Sequence, residues 1–464
     1  MLRFFRLNDP YRLLFVFIAV VVLGIKNEFE NSGVSIPEFN GVLVGEMLAD
    51  GKSMYSEVWH SMAPVTAFVQ YVHHVLFERS ILARHITAIL FIFIQAAWFG
   101  VMLINNRAFN ESNYLPSLIL AVGSFFSLDT VSLTGDIIGT TLLLLALNNL
   151  LKEIEFKRPR DETIHNLGFY LGLASLSVFS YSIFFFGVAF LLFIFTRVEL
   201  RRFCLYLIGF LFPHLIINLW YYWHNAIDLL WKNFYLANLD FNPQLLLNPK
   251  SIWVLTGIPI TYFLFSLIML RRDARLTKYQ YQIAQIMFLW LVLGLAEAYL
   301  NPMRTSQALL VCLPPFVYYV SHYFLLIKRK WIAEATVWVF LIGTIGMVSI
   351  SSGKLVKAVD YSSLYIKASH ETKIEGLKIL VMGDDLQPYL NNKTSSYFLD
   401  WKLFQTVFSE PGIYKHVIVV ADAFSTDPPE VIMDPENNFS GIIKYIPAIR
   451  QRYRRVGNNY IRVP

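Results

Sequence analysis

Apolar runs long enough to cross a bilayer, or nearly so, recur from the N-terminus to about residue 350, and no other feature constrains the fold as strongly. They lie near 12–26, 83–104, 114–128, 137–151, 166–180, 182–196, 203–223, 251–270, 282–299, 307–327 and 331–350. About eleven such runs predict an α-helical polytopic membrane protein. Several span only about 15 residues, below the usual ~17–25, so the pairs around Asp129 and Ser180 can also be read as re-entrant hairpins. Composition agrees, because a chain of 464 residues that is 56% apolar and 16% charged has too little polar surface to cover itself in water. Its mean hydropathy is +0.49. The start, MLRFFRLNDPYRLLFVFIAVVVLGIK, has a basic segment and an apolar core but no small-x-small cleavage site, and predicts an uncleaved first span.

Basic residues predict the orientation. With the N-terminus inside, Arg3, Arg6, Arg12, Arg107, Lys152, Lys157, Arg158, Arg160, Arg197, Arg201, Arg202, Arg271, Arg272, Arg275, Lys278, Lys328, Arg329 and Lys330 share that side. Opposite them stand only Lys26, Lys52, Arg79, Lys232, Lys250 and Arg304. The expectation is a multi-pass membrane protein, N-terminus cytoplasmic and C-terminal domain facing outward. The net charge of +6 then belongs to topology, and no nucleic-acid partner is expected. Cys204 and Cys312 both lie inside apolar runs, which argues against a disulfide framework or a cysteine metal site.

The pattern divides the chain into a transmembrane domain, 1–350, with an outward loop at 26–80, and a soluble α/β domain, 351–464. In the latter, LKILVMG (377–383), HVIVVAD (416–422) and EVIMD (430–434) read as buried parallel strands. Segment 440–455 reads as a basic helix and NNYIRVP as a final strand. Asp384, Asp385 and Asp422 follow these strands, where α/β folds place ligands, although solvated loops explain them as well. No glycine-rich phosphate loop, zinc spacing or Gly-x-Ser-x-Gly elbow appears, which disfavours a nucleotide-driven pump.

The outward loop carries the best functional signal. Pro37 stands where a helix would begin, Glu38 lies in its first turn, and Phe39, Val42, Leu43, Met47 and Leu48 give it an apolar face before Gly51 ends it. A second stretch, Pro64 to Phe77, places Phe68, Tyr71, Val72, Val75 and Leu76 on one side. Two helices lying along the membrane surface are expected. The run Pro37-Glu38-x7-Glu46-Met47-Leu48-Ala49-x-Gly51-x3-Tyr55-x3-Trp59-x4-Pro64 resembles the first periplasmic loop of GT-C glycosyltransferases, nearest to the aminoarabinose and dolichyl-phosphomannose transferase branch. The layout of many spans followed by an outward soluble domain is similar too.

The resemblance implies an enzyme that moves a sugar from a polyprenyl-phosphate carrier in the membrane lipid to an acceptor it does not specify. It also implies Glu38 as general base, or as a ligand of a divalent metal in some branches. A base is needed because an acceptor hydroxyl attacks the anomeric carbon competently only if its proton is removed. A phosphate leaving group needs a nearby cation, and topology nominates Arg304 and Arg79. The chain departs from the family at Pro37, where many members have a second acid, and near Ala63.

Other candidates for the substrate site are Glu46, Glu57, His60 and Glu297. Glu46 also reads as a solvated helix residue, and Glu57 and His60 as neighbours of the interfacial Trp59 in an exposed turn. Glu297 stands in an otherwise apolar run, where a carboxylate is expensive, and a pair with Arg304 is expected. Asp129 and Asp136 either cap an outward turn or line a sugar cavity, and His73 and His74 read as surface histidines. The rival reading is a non-catalytic scaffold in a membrane protein complex that keeps this architecture; the departures favour it, as do NNKTSSYFLDW and DPPEVIMDPEN, which resemble membrane proteins of Bacteroidota.

Overall fold

Among the described residues of the computed structural model, eight helices are long and apolar enough to cross a membrane. They are Ile81–Asn105, Gly135–Glu155, Phe179–Thr196, Leu200–Trp223, Pro249–Asp273, Lys278–Leu300, Gln307–Leu326 and Lys330–Ile350. The structure describes residues 1–30, 33–155, 160–196, 198–240, 243–351, 359–366 and 375–463; Lys157, Arg158 and Arg197 of the basic set lie outside these.

Three of the expected runs form other helices. Arg12–Glu30 has 19 residues and carries Lys26, Glu28 and Glu30 in its last turns. Leu115–Gly123 has nine residues, about 14 Å at helical rise, and Asp161–Ser175 has 15, about 22 Å against ~30 Å of hydrocarbon. The first of these short helices is apolar for a different reason than lipid contact: every one of its nine residues is buried in protein.

The chain separates into two compact units, Met1–Ser35 with Ser80–Ile217 and Phe241–Leu364, and Ile36–Arg79 with Asn218–Asp240 and Tyr365–Pro464. The first contains nearly all the bilayer-length helices. Its close packing includes the Asp161–Ser175 helix laid against Leu200–Trp223, where a Cβ on Gly168 or Gly172 would come within 2.1 or 2.4 Å of the carbonyl oxygens of Tyr206 and Phe210. Small residues four apart let two membrane helices meet backbone to backbone.

The second unit is built on a five-stranded mixed sheet. Strands β1 (Lys378–Val381), β2 (Lys393–Thr394), β3 (Val431–Met433), β4 (Tyr453–Val456) and β5 (Asn459–Arg462) lie in the order β2-β1-β3-β5-β4. β1 pairs parallel with β2 and β3, whereas β5 runs antiparallel to both neighbours. LKILVMG and EVIMD are thus parallel strands and NNYIRVP adds an antiparallel one. HVIVVAD is not a strand: Tyr414–Thr426 is a helix whose buried face is Val420, Ala423 and Phe424. Segment 440–455 holds short helical turns, then β4.

The loop helices differ from the expected matched pair. Ile36–Ala49 is buried on every side from Glu38 to Met47, so it is not a surface helix. It ends on Gly51 with φ +88°, a conformation open chiefly to glycine. Pro64–Phe77 does carry Phe68, Tyr71, Val72, Val75 and Leu76 on its exposed side, while Thr66, Gln70 and His73 face inward. His73 is therefore buried, its ring tilted against Phe77 at 5.1 Å, and His74 is half-buried, so neither is a surface histidine.

Candidate active site

Three carboxylates gather at one end of the membrane-spanning helices of the first unit. Asp136 opens the Gly135–Glu155 helix, Glu297 lies near the end of Lys278–Leu300, and Asp129 sits in the 3-10 turn Leu128–Val131. The Asn301 amide joins two of them, donating to Asp136 Oδ1 at 3.1 Å and Glu297 Oε1 at 3.2 Å. Ser180 donates to Glu297 at 2.7 Å, and the Tyr181 hydroxyl reaches Asp136 at 3.4 Å. Asp129 accepts from Ser127 at 2.6 Å and from Ser306. Burial raises the Asp129 carboxyl above the ordinary range, and the two serine donors only partly offset this. Gln307 ties the surrounding backbone, donating to the carbonyls of Ser132 at 2.7 Å and Thr130 at 3.4 Å while its own oxygen accepts from Thr134.

Basic residues not expected at a site border this cluster. Arg84, at the start of Ile81–Asn105, is wholly buried and donates to the Leu133 carbonyl at 3.2 Å. His85 beside it meets Glu28 at 2.5 Å, and Asn27 donates to the Leu128 carbonyl at 3.0 Å. A scan for Arg or His just inside a predicted span would have found both, since a buried ionisable group in a membrane needs a partner or a function.

Glu297 is wholly buried, as its apolar run foretold. The expected pair with Arg304 does not form: that guanidinium turns back on Tyr299, donating twice to its carbonyl at 3.1 and 2.8 Å and stacking 4.4 Å from its ring. Asp129 and Asp136 do not simply cap a water-facing turn but join Glu297 in the cluster.

The other predicted residues belong to the second unit. Glu38 is wholly buried in the first turn of Ile36–Ala49. A helix dipole contributes ~0.3–1 kcal/mol to an acid there, whereas desolvating a carboxylate costs several, so the dipole alone does not account for it. Glu46 is paired with Arg79 through Nε at 3.1 Å and through Nη2, and Arg79 also donates to the carbonyls of Tyr389 at 3.1 Å and Asn392 at 2.9 Å. All three guanidinium nitrogens are engaged in this strut. Glu57 accepts from the Ser53 amide at 2.8 Å, and His60 Nδ1 accepts from the Met62 amide at 2.9 Å, so both close the turn.

That turn is not exposed. Trp59 is buried among Phe398, Trp401 and Phe404, and its backbone donates to Tyr397 at 2.8 Å and accepts from Asp400 at 3.0 Å. Burial lowers the pKa of His60. Asp384 and Asp385 are exposed loop residues, and Asp422 is on the exposed side of a helix.

Among the described residues no group of three or more His, Cys, Asp and Glu side chains could hold a metal ion. The nearest approximation, Asp136 with Glu297, is organised around a shared amide. Closed on a neutral amide, this pair does not fit a divalent cation.

Eight bilayer-length helices, with a buried carboxylate cluster at one end, define a polytopic membrane protein with a polar site at the end of its spans. Its fold is GT-C, a fold of membrane glycosyltransferases. Solved structures similar to it include ArnT from Cupriavidus metallidurans in the apo state, with a TM-score of 0.56 and 12% identity over 97% of each chain. The same protein bound to undecaprenyl phosphate gives 0.53 at 12% identity, over 72% of this chain and 64% of that one. The Archaeoglobus fulgidus oligosaccharyltransferase tethered with an acceptor peptide containing the NVT sequon gives 0.51 at 9%, over 98% and 74%. No family model and no curated protein matches the chain.

Proposed function

We propose that this chain is a glycosyltransferase that moves a sugar from a polyprenyl-phosphate carrier to an acceptor on the extracytoplasmic face of a bacterial inner membrane, with Glu38 as general base. The observation that carries the reading is the wholly buried Glu38 carboxylate, in the first helix after the N-terminal hydrophobic helix of a GT-C chain. In the reaction the acceptor oxygen attacks the anomeric carbon, the bond from that carbon to the phosphate oxygen breaks, and the phosphate leaves with the electron pair. Glu38 takes the acceptor proton. An apolar groove of about 360 Å³, lined by Phe126, Ile260, Phe263, Leu295, Leu309 and Phe316 among others, suits a polyprenyl tail.

The test is Glu38→Gln in purified protein given a panel of polyprenyl-phosphate sugars, with release of free polyprenyl phosphate as readout. A loss of about 100-fold or more is expected at unchanged stability; turnover retained within a few-fold removes Glu38 from the mechanism.

The scaffold reading keeps one observation in its favour: Arg79 and Arg304, the cations nominated for a carrier phosphate, are both engaged internally. Purification of the chain in a fixed complex, with no turnover of any lipid-linked sugar, would support it.

A further inference from the structure

One cavity of the first unit lies far from the carboxylate cluster. It has a volume of about 870 Å³ and is lined by Arg107, Glu111, Glu155, Lys278 and Tyr279 over an apolar floor that includes Leu103 and Ile154. Three bilayer-length helices end there: Ile81–Asn105 and Gly135–Glu155 by their C-termini, Lys278–Leu300 by its N-terminus. Lys278 and Glu297 stand nineteen residues apart on one helix, about 29 Å, against a hydrocarbon core of ~30 Å. Asp136 and Glu155 are separated by the same interval on another. The cavity therefore sits at the opposite bilayer boundary from the cluster, where lipid headgroups are.

One side chain ties two walls of the cavity together. Gln280 closes the capping box of Lys278–Leu300, its oxygen accepting from the Thr277 amide at 3.0 Å, while its nitrogen donates to the Arg107 carbonyl at 3.4 Å. Arg107 itself has φ +48°, so its turn is a fixed, unusual conformation. Two cationic residues from distant parts of the chain are thereby fastened to one pocket. Among the described residues Arg107, Lys278 and Glu155 form no ion pair with each other or with any other group, while Glu111 meets Arg6 at 3.5 Å.

We propose that this cavity binds a zwitterionic phosphate ester of the ethanolamine class, the phosphate facing Arg107 and Lys278 and the ammonium facing Glu155 and Glu111. Unpaired charges of both signs around one cavity match a ligand that carries both. A purely anionic headgroup would satisfy the cations but meet two carboxylates. A choline headgroup would bring its positive charge without N–H donors for those carboxylates. The position at a bilayer boundary, with an apolar floor, makes the phospholipid of that leaflet the expected source.

The experiment uses the full chain, purified in detergent and delipidated. Native mass spectrometry counts adducts with dioleoyl phosphatidylethanolamine, dioleoyl phosphatidylglycerol and dioleoyl phosphatidylcholine at equal concentration. The ethanolamine lipid is expected to bind about tenfold more tightly than either other lipid. The paired change Arg107→Gln with Lys278→Gln, at two exposed side chains, is expected to erase that preference. Glu155→Gln is expected to weaken the ethanolamine lipid and strengthen the glycerol lipid, a crossover that loss of fold cannot produce. Equal or tighter binding of the glycerol lipid to the unaltered protein overturns the proposal, as does an ethanolamine preference that survives the paired change. Full competition by soluble phosphoethanolamine supports the headgroup chemistry and moves the source from the leaflet to water.

Discussion

Glu297 in the membrane-spanning unit and Asp427 in the sheet-bearing unit are both withdrawn from water and are satisfied in opposite ways. Glu297 accepts only from the neutral groups of Ser180 and Asn301, and among the described residues no cation pairs with it or with Asp136. Asp427 is gripped by Lys52 at 2.6 Å and Lys378 at 2.8 Å, with the Ser396 amide at 3.2 Å. The difference teaches where each solution is affordable. Lys378 remains 52% exposed, so its ammonium keeps much of its hydration while pairing. Deep in the helix bundle a lysine would lose that hydration, and hydroxyls and amides satisfy a carboxyl group without a second buried charge. Titration diverges accordingly: burial pushes the Asp427 carboxyl up but the two lysines outweigh it and hold it below its ordinary range, whereas burial holds Asp129, in the same neutral setting as Glu297, above it.

The sharpest way to break this comparison is Asp427→Asn. The change keeps the shape but leaves Lys52 and Lys378 facing each other without a counter-charge, and breaking a mostly buried pair costs about 3 kcal/mol. Faster hydrogen exchange in β1 and β3, read by mass spectrometry, is the expected result; unchanged exchange would mean that the lysines contribute no net stability. Ser306→Ala comes next. It removes one neutral donor from buried Asp129 and is expected to lower the thermal midpoint of the detergent-solubilised chain, by an amount equivalent to about 1–2 kcal/mol.

The two regions should also respond oppositely to pH. Asp427, whose folded pKa is depressed, contributes stability that is present above the unfolded value of about 3.9 and lost as pH falls through its folded pKa. Asp129, whose folded pKa is raised, contributes stability that is complete below about 3.9 and lost as pH rises through its folded pKa. Protection near Thr130, relative to the intrinsic exchange rate at each pH, is therefore expected to rise on mild acidification. Exchange in β3 should quicken only below about pH 4, and that acid loss should be absent in Asp427→Asn. Parallel responses in both regions would refute the distinction.

The sequence made the membrane class, the chemical oddity of Glu297 and strands LKILVMG and EVIMD legible, because each rests on local composition. What it concealed depends on partners distant in the chain. HVIVVAD fits a buried strand and a helix equally, since Val420 and Phe424 satisfy either period, and only packing against Phe439 and Tyr453 selects the helix. Trp59 reads as an interfacial aromatic until its backbone pairs with Tyr397 and Asp400. Glu46 and Arg79 read as two independent site residues because nothing local announces their ion pair. The 114–128 run looks like a span because burial in protein and burial in lipid select the same residues.

The smallest expected effect gives the most demanding test of the comparison. Glu297→Gln exchanges a carboxyl group for an amide in a site whose donors, Ser180 and Asn301, need only an oxygen to donate to. If neutral hydrogen bonding is the whole of its satisfaction, the amide oxygen replaces Oε1 and the thermal midpoint should move by no more than the equivalent of ~0.5 kcal/mol. The same chemical exchange at Asp427 is expected to cost about six times as much, so the ratio between the two variants, measured in one preparation, isolates the role of charge from that of shape. A large loss at Glu297 would reveal that its negative charge is used. In that case the turnover of Glu297→Gln on lipid-linked sugars, compared with Glu38→Gln, would decide whether that charge serves folding or the sugar.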